Sequence, residues 1–254
     1  MDILSSKAGG ICRIEFNRPD KKNAITATMY QLMADALKDA ESDSAVRAIL
    51  IAGKPDIFTA GNDLEDFMRN PPVGDDAPVI RFMMTLSHAT KPVIAAVAGA
   101  AVGIGTTMLA HCDLVYAADN AKFSLPFTPL GLCPEFGSSL LLPQMLGHQR
   151  ASEKFMLGEA FSAQEAHDIG FVSKVVPLDQ FDAFVQAQAA KLVALPASSL
   201  RVTKRLMRGN QAAEVDAKIR EELTHFIAML GAPEAKEAFA AFFEKRKPDF
   251  TKFA

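Results

Sequence analysis

The sequence comprises 254 residues, of which 49% are hydrophobic and 22% are charged, and its formal net charge at pH 7 is -3. This composition is typical of a globular chain that buries a large core, and it lacks the strong positive charge of most nucleic-acid-binding proteins. We therefore expect no nucleic acid as a partner. The apolar stretch at 93–110 is interrupted by Gly and Thr, so we expect no membrane as a partner either.

The first half of the chain alternates predicted strands with predicted helices. Residues 11–19 alternate in polarity like a strand, residues 25–42 repeat apolar side chains at helical spacing, and residues 46–53 are typical of a buried strand. A second unit follows, with a strand at 91–99 and a glycine-rich entry to a helix at 104–112. This order predicts an α/β fold with a parallel or mixed sheet covered by helices.

The second half is predicted to be mostly helical. Short strands at 113–119 and 121–126 precede a helix that we expect to begin near Pro134, because proline fits the first helical turn. From Ser162 onward the pattern is helical apart from a short strand at 171–177. The final helix places Phe239, Phe242 and Phe243 on one stripe, which must pack on something.

The domain organisation follows from the absence of any Pro/Gly/Ser-rich linker. We expect one core domain at 1–195 and a C-terminal helical region at 196–254. The stretch 67–78 is rich in Pro, Gly and Asp and is expected to form a mobile polar loop.

Two glycine-containing segments are candidate ligand sites. At 58–64 a strand runs into Gly61, which permits a turn and close approach of a ligand, although an ordinary turn has the same pattern. At 99–105 three glycines precede a helix, whose unpaired N–H groups can stabilise a negative oxygen. The same small residues also allow a strand and a helix to pack closely, so both interpretations stay open.

Glu135 is the only charged residue in the segment 130–143. A carboxylate in the first turn of a helix is stabilised by the helix dipole, which gives Glu135 an ordinary structural role. Its apolar neighbours would instead raise its pKa towards values useful for proton abstraction near neutral pH. The adjacent Cys133 is a weaker candidate nucleophile, because no histidine is positioned by sequence to activate it.

Cysteine and histidine usage predicts no metal site and no disulfide framework. The three cysteines form no CxxC pair, and the five histidines lack metal-ligand spacing.

Asp2 stands in place of a basic leader segment, no apolar segment follows it, and the final KFA is not a peroxisomal signal. We therefore expect a cytoplasmic protein.

An ordered set of six segments resembles the enoyl-CoA hydratase/isomerase (crotonase) family. They are EFNRPDKKNAIT at 15–26, FTAGNDL at 58–64, KPVIAAVAGAAVGIG at 91–105, CDLVYAADNAKFSLP at 112–126, GFVSKVVP at 170–177 and FFEKRKPDF at 242–250. The resemblance implies a crotonase-like spiral of ββα units with C-terminal trimerisation helices. It also implies a homotrimer or a hexamer, that is, a dimer of trimers.

The family resemblance assigns roles to residues near the two glycine segments. It implies an oxyanion hole formed by the backbone N–H groups of Asn62 and Ile104, which would hold a thioester carbonyl as it becomes an enolate. It implies coenzyme A binding by Ala60, Gly61, Asp63, Leu64, Gly103, Lys22, Phe242 and Lys245, the last two from a neighbouring subunit. The expected ligand is an acyl-CoA thioester, with no separate cofactor, since neither NAD nor a metal is implied.

Departures from the hydratase pattern decide which chemistry the resemblance implies. Hydratases of the family carry two glutamates, and Thr107 and Phe127 stand at those positions here, so hydration is expected to be absent or very slow. Glu135 instead matches the single glutamate of the branch that converts 3-enoyl-CoA to 2-enoyl-CoA. One carboxylate would remove a proton from C2 and return it to C4.

Phe136 departs from the isomerase pattern, which commonly has glycine at this position. Its side chain could narrow the acyl pocket or redirect Glu135.

Two alternatives to the isomerase stay open: other thioester chemistry such as hydrolysis or dehalogenation with the same oxyanion hole, and a non-catalytic module that binds acyl-CoA or a protein.

Overall fold

The computed structural model describes residues 1–72, 74, 76–209 and 211–253. Within them, ten strands form two sheets. The strands are β1 (Ile3–Ala8), β2 (Ile11–Phe16), β3 (Ala48–Ala52), β4 (Ile57–Thr59), β5 (Val93–Val97), β6 (Ala100–Val102), β7 (Leu114–Ala118), β8 (Lys122–Ser124), β9 (Phe161–Ser162) and β10 (Lys174–Val176). The larger sheet has the order β1-β2-β3-β5-β7-β10, and the smaller has the order β4-β6-β8-β9.

Most strand pairs are parallel, as the alternation of strands and helices predicts. Only the β1–β2 hairpin and the β8–β9 pair are antiparallel among the described strands. Strands β3 and β5 are buried at every residue, which explains their continuous apolar sequences. Strands β4 and β6 lie side by side and end at Thr59 and Val102, so the two glycine segments meet at one edge of the smaller sheet.

Eleven α-helices occur in the described residues, with short 3-10 turns at Pro19–Lys21, Met108–His111, Thr128–Leu130 and Phe250–Lys252. The helices are α1 (Ala27–Ser42), α2 (Leu64–Arg69), α3 (Pro78–Ser87), α4 (Ile104–Thr107), α5 (Ser138–Leu146), α6 (His148–Leu157), α7 (Ala163–Asp168), α8 (Leu178–Ala194), α9 (Ala197–Arg208), α10 (Gln211–Leu230) and α11 (Pro233–Glu244). No helix of the described chain is long and apolar enough to cross a membrane.

The prediction of a helix beginning near Pro134 is wrong. Helix α5 begins at Ser138, and Glu135 lies in the loop before it. Phe136 and Gly137 have φ angles of 64° and 70°, a left-handed conformation that a right-handed helix cannot include. Glu135 is therefore not an acid in the first turn of this helix.

The predicted loop at 67–78 is shorter than expected. Residues up to Arg69 belong to α2, and α3 begins at Pro78. Pro72 is buried. Val73 and Asp75 lie outside the described residues.

The C-terminal helices share the main hydrophobic core with the sheets. Val215, Ile219 and Phe226 of α10 and Phe239 of α11 belong to the same buried cluster as Ile14 of β2. Helices α10 and α11 therefore pack on their own chain, and they form one side of the site described below. The division at residue 195 and the trimeric assembly stay predictions.

Candidate active site

A cavity of about 520 Å³ opens between the ends of β4 and β6 and the C-terminal helices. Its apolar side is formed mainly by Phe67, Phe127, Leu132, Phe226 and Phe239. Its lining also includes Arg18, Lys21, Lys22, Asp63 and Glu65, so charged side chains accompany the apolar wall. An elongated ligand with a charged part and an apolar part suits such a lining.

The loop 60–63 presents one backbone N–H group to this cavity. Gly61 has a φ angle of 84°, and its carbonyl accepts a hydrogen bond from Ile25 N at 2.8 Å. The N–H of Asp63 donates to Ile25 O at 3.0 Å. Asn62 N, between them, has no acceptor among the described residues and lines the cavity, so it is free to donate to a ligand.

The loop is held by residues that the sequence analysis did not select. Asn23 is fully buried, and its side-chain amide donates to the carbonyls of Ile57 and Phe58. The hydroxyl of Thr59 donates to Asn23 O and accepts from Gly61 N. These bonds explain the polar residues around the turn, since each satisfies a backbone group at the edge of the sheet.

A second free N–H group comes from the start of α4. Gly103, with a φ angle of 55°, precedes the helix, and Ile104 N is the first helical donor. It too lacks a hydrogen-bond acceptor in the described part of the chain. Ile104 and Gly103 both line the cavity with Asn62, so two residues with unpaired backbone donors border one space. Such a pair can stabilise an anionic oxygen.

Glu135 is deeply buried, with 2% of its surface exposed. Its Oε1 accepts a hydrogen bond of 2.6 Å from the hydroxyl of Thr107, one turn after Ile104. Its Oε2 has no hydrogen-bond partner among the described residues. The only fully buried side-chain nitrogen or oxygen there without a partner is Arg47 Nε, so Glu135 Oε2 keeps contact with accessible space. Glu135 itself is not among the residues that line the cavity.

Burial determines the protonation of Glu135. Removal from water raises the pKa of its carboxyl to about 8, the hydroxyl of Thr107 opposes this rise, and the charge of Glu222 adds to it. A carboxyl with such a pKa can accept a proton near neutral pH and hold it until it is returned. The apolar sequence around Glu135 predicted this direction.

Phe136 does not narrow the cavity. Its ring is fully buried and stacks on the imidazole of His111, with 4.0 Å between ring centroids. The Nε2–H of His111 donates to the carbonyl oxygen of Phe136 at 2.7 Å, and burial lowers the pKa of His111 to about 4, so the imidazole is neutral. His111 thus supports a backbone conformation that is costly for a bulky residue.

Glu222 of α10 occupies the position expected of an acid at the start of α5. Its carboxylate accepts hydrogen bonds from Gly137 N at 2.5 Å and Ser139 N at 2.8 Å. The dipole of α5 favours this charge, which is supplied from 83 to 85 positions away in the sequence. No local sequence signal identifies such a contact.

The structure brings together most of the residues selected from the sequence. Lys22, Ala60, Gly61, Asp63, Leu64, Gly103 and Phe242 line the cavity with Asn62 and Ile104. Lys245 lies outside the lining and ends α11 in a left-handed conformation. Phe242 lines the cavity of its own chain, whereas the resemblance implied a neighbouring subunit, because α11 packs back onto its own core.

The described residues contain no group of three or more His, Cys, Asp or Glu side chains arranged to hold a metal ion.

Asp63 lines the cavity but forms an ion pair of 2.7 Å with Arg18 and caps α2 through Asp66 N. The Arg18 guanidinium helps to lower the pKa of Asp63, against the effect of burial. Glu135 is therefore better suited to proton transfer than Asp63.

Comparison with known proteins identifies the family. Residues 6–252 match the family model described as enoyl-CoA hydratase/isomerase. The chain belongs to the enoyl-CoA hydratase/isomerase family. A crystal structure of an enoyl-CoA hydratase/isomerase from Pseudoalteromonas atlantica T6c is 39% identical, with a TM-score of 0.94, and the match covers 99% of this chain and 100% of that chain. The predicted crotonase fold is confirmed.

Relatives within the enoyl-CoA hydratase/isomerase family carry different names. Enoyl-CoA delta isomerase 2 of Rattus norvegicus is 38% identical over 252 residues, which cover 97% of this chain and 64% of the rat protein. The 1,2-epoxyphenylacetyl-CoA isomerase of Escherichia coli K12 is 33% identical, and the match covers 98% of each chain. Proteins named as hydratases also match. The chain thus spans 64% of the length of the rat protein named enoyl-CoA delta isomerase 2 and 57% of the length of the human protein of the same name.

Proposed function

We propose that this protein is an acyl-CoA isomerase that converts a 3-enoyl-CoA to a trans-2-enoyl-CoA. The observation that carries the proposal is the buried carboxyl of Glu135, which is hydrogen-bonded to Thr107 of α4. The first residue of this helix, Ile104, lines the cavity with Asn62, and both residues have unpaired backbone N–H groups. The two positions where hydratases carry glutamates hold Thr107 and Phe127, neither of which can transfer a proton. Isomerisation needs only one acid–base group.

The proposed reaction begins with the thioester carbonyl oxygen between Asn62 N and Ile104 N. Glu135 Oε2 takes a proton from C2, while Oε1 keeps its hydrogen bond to Thr107. Negative charge develops on the thioester oxygen of the dienolate, where the two N–H groups stabilise it. The protonated carboxyl then delivers the same proton to C4, and the double bond becomes conjugated with the thioester.

Substrate binding follows the two kinds of lining. The acyl chain lies against the aromatic wall of the cavity, and Lys22 faces the phosphates of coenzyme A. Lys245 contributes only if a second copy of the chain brings it to this cavity. A trimer or a hexamer is therefore part of the proposal, and Phe242 and Phe243, at 60% and 45% exposed, belong to its expected contact surface.

The test compares wild-type protein with Glu135→Gln, using trans-3-hexenoyl-CoA and the ultraviolet absorbance of the conjugated product. The variant keeps an acceptor for Thr107 but cannot take a proton, so turnover should fall by about 10²- to 10⁴-fold while thioester binding persists. Glu159→Gln, an exposed position, is the matched control. Near-normal turnover in Glu135→Gln would reject the mechanism.

A second candidate is other enolate chemistry at the same site. The match to a 1,2-epoxyphenylacetyl-CoA isomerase over 98% of both chains favours keeping it. Exchange of the C2 proton with deuterated water without double-bond migration would support this candidate. Binding without any exchange would support a non-catalytic acyl-CoA module, and crotonyl-CoA hydration is measured alongside as a control.

A further inference from the structure

Glu222 contacts the Glu135 loop on both sides of Glu135. On the C-terminal side its carboxylate accepts hydrogen bonds from Gly137 N and Ser139 N. On the N-terminal side its backbone carbonyl lies 3.7 Å from the Sγ of Cys133, within the range of a thiol hydrogen bond. One residue of α10 therefore contacts both ends of the seven-residue segment 133–139, whose backbone is left-handed at Phe136 and Gly137.

The charge of Glu222 also acts directly on Glu135. Glu222 is 5% exposed, and its charge contributes to the raised pKa of the Glu135 carboxyl. Its own pKa is raised by burial, against which the N–H groups of Gly137 and Ser139 act. These donors favour ionisation of Glu222 before Glu135, since Glu135 accepts only from Thr107.

We infer that Glu222 is a positioning residue that holds Glu135 in place and links helix α10 to proton transfer at the site. This inference rests on the proposed function. Helix α10 also contributes Phe226 to the cavity wall, so the same helix contacts the acyl space and fixes the loop of the proposed base.

Four titratable groups near the two acids keep the same charge between pH 6 and 9. Burial raises the pKa of Tyr30 on α1 and raises that of Cys133 to about 11, so both stay neutral. His111, which stacks on Phe136, has a pKa of about 4 and is also neutral. Lys218, one turn before Glu222 on α10, has a raised pKa and stays positive. None of these four groups therefore produces a pH limb in this range, and a limb that moves on substitution of Glu222 reports the two carboxyls.

The experiment measures kcat/KM for trans-3-hexenoyl-CoA from pH 6 to 9 in wild type, Glu222→Gln and Glu222→Asp. Glu222→Gln removes the like charge and one acceptor, so the rising limb should move to lower pH and the limiting rate should fall by about 10- to 100-fold. Glu222→Asp keeps the charge but is one methylene too short to reach both N–H groups. Its limiting rate should fall while its limb stays in place.

Glu221→Gln is the matched control, because Glu221 is the neighbouring exposed acid and pairs with Lys218. It should change neither quantity. An unmoved limb in folded Glu222→Gln, or a limiting rate within about twofold of wild type, would overturn the inference. If Glu222→Gln does not fold, an unchanged rate in Glu222→Asp overturns it.

The same kinetic measurements, made alongside Glu135→Gln, separate this inference from the proposed function. Loss of the isomerase interpretation would appear as no migration in wild type or as full activity in Glu135→Gln, and then both proposals fall. If wild type is active and Glu135→Gln is not, the proposed function stands, and the Glu222 variants then test the role of Glu222 alone.

Discussion

The loop that carries Asn62 and the loop that carries Glu135 are held in different ways. Backbone hydrogen bonds with Lys22 and Ile25, together with the side chains of Asn23 and Thr59, fix the first loop, and they leave one N–H group unpaired. Side chains from distant segments fix the second loop: Thr107, His111 and Glu222. The functional group of the first loop is a backbone N–H, whereas that of the second is a carboxyl whose proton affinity depends on the neighbouring side chains.

This difference separates two kinds of dependence on mutation. A backbone donor keeps its hydrogen-bonding capacity whatever its side chain, so only changes in backbone path should affect it. The proton affinity of a buried carboxyl is set by nearby charges and hydrogen bonds, so substitutions that leave the backbone intact should alter it. The following substitutions test each side of this contrast.

Gly61→Ala should have the largest effect on the backbone-held loop. A Cβ at Gly61 would lie 2.7 Å from Val102 O, and the φ angle of 84° disfavours any other residue. Relief of this clash should displace the backbone at Asn62 N and at Ile104 N. We therefore expect kcat to fall by about 10²- to 10³-fold, the cost of losing an oxyanion donor. Steady-state kinetics with trans-3-hexenoyl-CoA measure the change.

Gly9→Ala is the control for this substitution. Gly9 also has a positive φ angle, of 55°, but nothing lies within 4 Å of its Cβ position in the β1–β2 turn. It should reduce stability slightly and leave turnover unchanged. Equal kinetic losses in the two variants would show that backbone strain, and not displacement of the donors, explains the result at Gly61.

Thr107→Val should have an intermediate effect on the side-chain-held loop. The hydroxyl of Thr107 stabilises the ionised form of Glu135, so its removal raises the pKa of Glu135 further. Since the base must be ionised, the rising limb of kcat/KM should move to higher pH, and the rate at pH 7 should fall by about tenfold. At high pH the variant should approach wild type.

The direction of this shift distinguishes Thr107→Val from Glu222→Gln. The Thr107 substitution removes a donor to the carboxylate, whereas the Glu222 substitution removes a like charge, so the two limbs should move in opposite directions. A rate loss in Thr107→Val that is the same at every pH would contradict the assigned role of Thr107.

Lys22→Ala should have the smallest effect. Lys22 is exposed at the cavity, and its backbone carbonyl still accepts from Ala60 N after the substitution. Loss of one exposed positive charge should raise KM by about three- to tenfold without changing kcat, and added salt should reduce the difference. Lys38→Ala, exposed on α1, should behave as wild type; an equal rise in KM there would argue against a specific phosphate contact.

The sequence predicted the alternation of strands and helices because periodicity and glycine turns are local signals. It also identified the Gly61 and Gly103 turns and the apolar surroundings of Glu135. It misplaced the start of α5, because left-handed Phe136 has no local signature and is stabilised by His111. Glu222 was missed for the same reason, since its contacts join residues more than 80 positions apart.

The most direct measurement follows one hydrogen through the reaction. Trans-3-hexenoyl-CoA carrying deuterium at C2 is converted by wild-type protein in ordinary water, and the product is analysed for deuterium at C4. A single buried carboxyl that exchanges slowly with solvent should return part of the label to C4. A product whose new C4 hydrogen comes entirely from water would contradict the return of the same proton by Glu135.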